Sequence, residues 1–243
     1  MDLLKKLFRR TPKRARPYCA AIIAAAGNST RYGEENKLLQ ELDGIPVLAR
    51  TLLAVDRAAS IDEIVIAARE DELLTYAQLC KAFDLKKPVK VVLGGATRTE
   101  SVLRAACEAS PEAALLAVQD GARPLVTSAL IDGVVLAAQQ YQAAAPAVPV
   151  TDTVKVAVNG IVESTPERSK LFAVQTPQVF DAELLKAALQ DALRANAALT
   201  DDCSAVERFG KEVHLTEGDA ENIKITRPLD LAVAEVILPR SGE

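Results

Sequence analysis

Gly27, Arg31 and Lys37 are spaced as a polyphosphate site requires. The apolar run Ala20 to Ala26 breaks at Gly27, and the small polar residues Asn28, Ser29 and Thr30 follow. Arg31, Gly33 and, six residues past the arginine, Lys37 complete the stretch. Small residues let backbone N–H groups face phosphate oxygens at close range. Two fixed cations then stabilise charge that builds up during group transfer. No Gly-Lys-Ser/Thr ends the loop, and Gly-x-Gly-x-x-Gly is absent, so neither a Walker A loop nor a dinucleotide fingerprint is present. Taken alone, the stretch serves equally well as a strand-to-helix turn with two solvated cations.

Two further segments carry similar chemistry. Gly94-Gly95-Ala96-Thr97-Arg98, followed by Ser101, ends an apolar run and opens a helical pattern. Paired glycines permit close backbone approach, and a helix N-terminus favours an anion or a base-edge acceptor. Asp120-Gly121-Ala122-Arg123-Pro124 follows another run, and an Asp and Arg there can bind sugar hydroxyls, a metal or a phosphate. The bland alternatives are a capped turn with Arg98 in solvent and a surface Asp–Arg pair worth ~0–1 kcal/mol. The remaining polar clusters are Thr151–Lys155, Thr165–Arg168, Gln175–Gln178, Thr200–Asp202 and Asn222–Thr226. Singly, caps and solvated turns explain each of them.

These residues need a scaffold, and the hydrophobic pattern supplies one. Strands are expected at Ala20–Ala26, Glu63–Ala68, Val89–Leu93 and Leu115–Val118. Helices are expected at Ile45–Ala59, Glu72–Phe83, Thr97–Ala109 and Ser128–Gln142. Such alternation implies a mostly parallel sheet covered on both faces. Ligands bind at the carboxyl ends of strands in such sheets, so the ends after Ala26, Leu93 and Val118 should converge on one crevice. From Ala144 to Phe180 the pattern turns to short β-type pieces, with an Asn159-Gly160 hairpin turn. That predicts a β-arm leaving the sheet at about residues 149–171. Isolated two-stranded arms are barely stable, so it should pack against another subunit. Helices Ala182–Arg194 and Asp201–Phe209, strands Glu212–Thr216 and Asn222–Thr226, and helix Pro228–Leu238 complete the reading.

Composition narrows the function. The 243 residues suit one large domain, here residues 18–240, and 49% are hydrophobic, enough for a sizeable core. No apolar run reaches the ~20 residues of a membrane span. The net charge of −4 gives no general pull toward nucleic acid. Residues 1–18 nevertheless hold seven basic side chains against Asp2, a net of +6 that leaves −10 elsewhere. Residues 1–17 read as a basic, frayed N-terminal extension. Cys19, Cys80, Cys107 and Cys203 form no Cys-x-x-Cys pair and read as reduced core thiols of a cytoplasmic protein. A single histidine, His214, argues against a histidine-based triad or multi-His metal site and reads as a strand residue with a local hydrogen bond.

In order, the stretches AAGNSTRYGEENK, GGATRTESV, DGARP, PVTDTVK, TPERSKLFAVQTPQVF, TDDCSAVE and EGDAENIKITRPLDLAVAE resemble the 2-C-methyl-D-erythritol 4-phosphate cytidylyltransferases of the non-mevalonate isoprenoid pathway. The resemblance covers about Tyr18 to Leu238. It implies a Rossmann-like α/β nucleotidyltransferase domain with a mostly parallel twisted sheet and a projecting β-arm that forms a homodimer. It implies that CTP lies against Ala25, Ala26, Gly27, Gly95, Ala96 and Ser101, with Arg31 and Lys37 on the triphosphate. Arg168 and Lys224 would position the incoming phosphate, Arg168 and Thr153 reaching the partner's site. Asp120, Arg123, Thr176 and Thr200 would hold the polyol phosphate. Mg²⁺ would bind mainly through CTP phosphates, with Asp120 the best protein ligand. The closely similar ribitol 5-phosphate cytidylyltransferases are the alternative. The chain departs from the family pattern at Ser29, Tyr32, Asn36, Leu38, Gln119 and Gly121.

Overall fold

The computed structural model describes residues 16–27, 32 and 36–238. Arg31 and the loop residues 28–30 and 33–35, singled out above, lie outside the described residues, as do positions 1–15 of the basic extension.

The apolar runs form the sheet. β1 (Tyr18–Ala24), β4 (Glu63–Ala68), β5 (Val89–Leu93) and β6 (Ala113–Asp120) pair in parallel in the order β6-β1-β4-β5. β1 and β4 alternate between two cores because successive side chains point to opposite faces. Cys19, Ala21, Ile23, Ile64 and Ile66 join one cluster, and Ala20, Ile22, Val65 and Ala67 join the other. The first face is covered by α1 (Val47–Arg57), α2 (Leu73–Ala82), α4 (Ser128–Tyr141) and α7 (Pro228–Ile237). The second is covered by α3 (Arg98–Glu108), α5 (Ala182–Arg194) and α6 (Asp202–Arg208). Helix starts follow their caps: Thr97 accepts the Glu100 N–H, Thr127 the Leu130 N–H, and Asp181 the N–H groups of Glu183 and Leu184.

The first core helix begins later than its periodicity suggests. Ile45–Pro46 (β3) instead pairs with Glu41–Leu42 (β2) in a small hairpin, and α1 starts at Val47. The β-rich stretch is divided. β7 (Ala143–Pro149), β10 (Phe172–Val174) and β11 (Gln178–Asp181) extend the main sheet in the order β10-β7-β11-β6, all antiparallel. β12 (His214–Glu217) joins β7 in parallel. Within this stretch β8 (Val156–Val158) and β9 (Ile161–Ser164) stand apart from the main sheet as a two-stranded ribbon. Its turn places Asn159 at φ 51° and Gly160 at φ 81°, the left-handed pair that a tight hairpin turn needs.

Three expectations are corrected. Asn222–Thr226 is not a strand: its backbone serves the neighbouring loop, Ile225 N–H bonding Ala122 O at 2.8 Å and Asn222 O accepting from Arg123 at 2.6 Å. Arg16, counted in the basic extension, belongs to the fold. It donates to Asp62 at 2.8 Å and to the Ala59 carbonyl at 2.6 Å, while Asp62 also takes the Cys19 N–H. Cys107 is exposed rather than a core thiol, and all four cysteines are free. His214 does lie in a strand, but the contact recorded for its ring is a stack on Tyr141 at 3.8 Å.

Candidate active site

The register of the parallel strands brings their carboxyl ends to one place. Ala24 stands opposite Asp120, and Ala68 opposite Leu93. The chain beyond these ends walls a cavity of about 600 Å³, lined by Ala24–Gly27, Lys37, Leu38, Ala68–Glu70, Leu93–Arg98, Ser101, Asp120, Ala122, Lys224 and Thr226. Gly94 is required by proximity. A Cβ there would sit 2.6 Å from the Ala26 Cβ and 3.0 Å from Ser101 Oγ, so the first and third strand ends could not approach.

The glycine-rich turn is self-satisfied. Ser101 Oγ accepts the Gly95 N–H at 3.0 Å, and Glu100 takes the Ala96 N–H at 2.8 Å. An acidic side chain of the helix itself therefore occupies the position at the start of α3 that the sequence suggested for an anion.

The electrostatic centre is Asp120, the last residue of β6. Lys224 Nζ lies 2.8 Å from Oδ2, Arg123 Nε 3.6 Å from Oδ2, and Arg98 Nη2 3.7 Å from Oδ1. Burial opposes ionisation of Asp120, but Lys224, Arg98 and Arg123 outweigh it and hold the carboxyl at about 2. The Asp120 N–H is fixed by the Thr176 hydroxyl at 3.1 Å. Behind it, Arg98 Nη1 reaches Asp202 at 2.7 Å. Burial pushes the Asp202 carboxyl up, against the pull of Arg98. Asp202 is placed by Gln178, whose Oε1 accepts the N–H groups of Asp202 and Cys203 at 3.0 and 3.1 Å. The Arg123 guanidinium is buried, which lowers its pKa against the pull of Asp120.

The cavity thus brings together Ala25, Ala26, Gly27, Lys37, Gly95, Ala96, Ser101, Asp120 and Lys224. Among the described residues, Arg123, Thr153, Arg168, Thr176 and Thr200 are not part of its lining. Thr176 and Arg123 are buried against Asp120, the Thr176 hydroxyl accepting its N–H and the Arg123 Nε 3.6 Å from its carboxylate, and neither lines the cavity. Thr200 bonds Ser204 and lines a separate concavity with Val174 and Cys203. Thr153 and Arg168 are exposed near the ribbon, Arg168 donating to the Thr151 carbonyl at 3.0 Å. Sequence reasoning noted Arg98 beside the glycine pair and Asp202 in the Thr200–Asp202 cluster but gave neither a role of its own, and it passed over Arg69. The adjacency of Arg98 to the glycine pair and the doubled acid Asp201-Asp202 were the available signals.

A family model described as IspD, 2-C-methyl-D-erythritol 4-phosphate cytidylyltransferase, matches residues 19–240. The chain belongs to this family. It is 43% identical over 218 residues to the 2-C-methyl-D-erythritol 4-phosphate cytidylyltransferase of Bacillus cereus, covering 89% of this chain and 96% of the relative. It is also 43% identical over 223 residues to that of Caldanaerobacter subterraneus, covering 90% and 98%. The crystal structure of 4-diphosphocytidyl-2C-methyl-D-erythritol synthase from Anaerococcus prevotii superposes with a TM-score of 0.83 at 30% identity, covering 92% of this chain and 97% of the other.

Proposed function

We propose that this chain transfers the CMP group of CTP to 2-C-methyl-D-erythritol 4-phosphate, giving 4-diphosphocytidyl-2-C-methyl-D-erythritol and pyrophosphate. The carrying observation is the convergence of Lys37, Lys224 and the Gly27 and Gly95 strand ends on one cavity, in a chain of this family. A phosphate oxygen of the polyol phosphate attacks the α-phosphorus of CTP, forming a P–O bond. The bond from that phosphorus to the β-phosphate oxygen breaks, and its electron pair leaves with pyrophosphate. No activated side chain is needed, because the nucleophile is already an anion. The protein contributes position and charge. Ala25–Gly27, Gly95, Ala96 and Ser101 shape the nucleoside end of the cavity. Lys37, together with Arg31, meets the triphosphate. Lys224, held by Asp120, receives the incoming phosphate.

Mg²⁺ fits this lining in a limited way. A magnesium site commonly uses one or two carboxylates plus substrate phosphates, and no cluster of three metal-ligating side chains occurs among the described residues. Asp120 stays ionised and would be the protein ligand, but Lys224, Arg98 and Arg123 already share its charge. The other ligands would be phosphate oxygens and water. Bound there, the ion neutralises triphosphate charge.

Arg168 and Thr153 lie outside the cavity of their own chain, which supports a homodimer in which the β8–β9 ribbon delivers them to the partner's cavity. No described helix is long and apolar enough to cross a membrane. The free cysteines support a cytoplasmic enzyme.

Pyrophosphate release, measured with each nucleoside triphosphate against methylerythritol and ribitol phosphates, tests the reading. CTP with methylerythritol phosphate should be fastest, as the family match favours; faster turnover of ribitol 5-phosphate would overturn it. Lys37→Ala should lower turnover by about 10²–10³, and a change under about threefold would remove Lys37 from the chemistry. Arg168→Ala should raise the KM for the polyol phosphate and leave calorimetric CTP binding intact.

A further inference from the structure

Lys37 carries its charge on a flexible four-carbon stem, so its backbone must be held if the charge is to be preorganised. The residue before it does the holding. Asn36 Nδ2 donates to Glu72 and, at 3.0 Å, to the Tyr76 hydroxyl, both on the 3₁₀ turn and helix after β4. Its Oδ1 accepts the Leu38 N–H at 2.9 Å, and its carbonyl accepts the Leu39 N–H at 3.0 Å. Asn36 therefore bonds across Lys37 to the residue beyond it. Leu38 is itself buried, and its carbonyl takes the Leu48 N–H at 2.9 Å.

The anchor on the other side is rigid. Tyr76 is fully buried and Glu72 is 6% exposed. The Tyr76 hydroxyl donates to Glu72 Oε2 at 2.9 Å, and burial pushes the phenol up, so it remains a donor. The other carboxylate oxygen is shared by Asn36 and by Arg69 Nη2 at 2.8 Å, and Arg69 is part of the cavity wall. Both oxygens of a buried carboxylate are thus engaged, and one of their partners is the side chain next to Lys37.

We infer that Asn36 is a positioning residue for the transfer reaction, locking the Lys37 backbone to the buried Glu72–Tyr76 pair so that the lysine meets the triphosphate without reorganisation. This rests on the reading that Lys37 contacts the triphosphate. A merely structural clamp would cost stability and leave the transfer rate alone, or lower it regardless of what stands at position 37.

The test is a double-mutant cycle on kcat, with thermal melts of every variant. Asn36→Ala should lower kcat by about tenfold, the scale expected for a small misplacement of a reacting group, while the KM for the polyol phosphate moves by less than about twofold. Tyr76→Phe, which removes one hydroxyl and keeps the buried ring, should shift kcat in the same direction by about threefold. In a Lys37→Ala background, measured at high enzyme concentration, each of the two substitutions should change kcat by less than about twofold, because they act through Lys37. An Asn36→Ala kcat within about twofold of wild type, or the same tenfold loss repeated on top of Lys37→Ala, overturns the inference. A Lys37→Ala enzyme with undiminished kcat instead overturns the proposed role of Lys37, and that single variant reads it independently of position 36.

Discussion

Arg98 bridges two carboxylates of different kinds. Asp120 faces the cavity and has two other cations; Asp202 is 1% exposed and has Arg98 as its ion-pair partner among the described residues. Removing one side of a buried pair leaves the other charge uncompensated, which costs far more than the intact pair contributes. Arg98→Ala should therefore destabilise the protein by about 3 kcal/mol in urea unfolding. Arg98→Ala combined with Asp202→Asn should recover most of that loss. A single variant within about 0.5 kcal/mol of wild type would show that Asp202 does not depend on its arginine. At this scale the sequence reveals residue types but not pairings. The Gly94–Ser101 run marks Arg98 as near a site, yet nothing local tells that its partner starts a helix far along the chain. Thr176 and Arg123 show the same limit: their types suit a substrate, but only packing shows that both lie against Asp120.

The β8–β9 ribbon exposes side chains that an isolated chain has no use for. Val158 and Ile161 are 51% and 73% exposed, beside the turn at Asn159-Gly160. Val158→Asp with Ile161→Asp should leave monomer stability within about 0.5 kcal/mol, since exposed substitutions rarely matter more. If the ribbon is the dimer contact, the pair should shift the mass seen by light scattering to that of one chain and lower turnover with it. An unchanged dimer would move the interface elsewhere. Elements such as this hairpin, the buried β1 and β4 runs and the Thr97-capped helix were legible because each announces itself within a few residues: a turn dipeptide, a period, a cap. Asn222–Thr226 was not, because its Asn-Ile-Lys-Ile-Thr alternation is that of a strand while its backbone bonds go to Ala122 and Arg123. The return of β10 and β11 to the main sheet, leaving only the ribbon outside, is likewise a matter of long-range pairing.

Charge links the cavity to the stability of the whole chain. The Asp120 carboxyl, held at about 2 against a usual 3.8, favours the folded state above the ordinary carboxylate range. That contribution, about 2 kcal/mol, is present at neutral pH and is lost as pH falls from about 4 to about 2. Asp202 works in the opposite sense, because a carboxyl raised by burial costs stability as pH rises through its titration. The balance at acid pH is therefore set by the cations around Asp120, of which Lys224 is the nearest at 2.8 Å. Lys224→Met should let the Asp120 pKa rise, so that its stabilisation is lost at a higher pH. Far-UV circular dichroism followed from about pH 6 to about pH 2 should show the acid-unfolding midpoint moving upward by roughly half a unit to one unit. Superimposable curves for wild type and Lys224→Met would mean that the buried carboxylate is not what limits the acid stability of this fold, and that the Asp120 cluster serves the cavity alone.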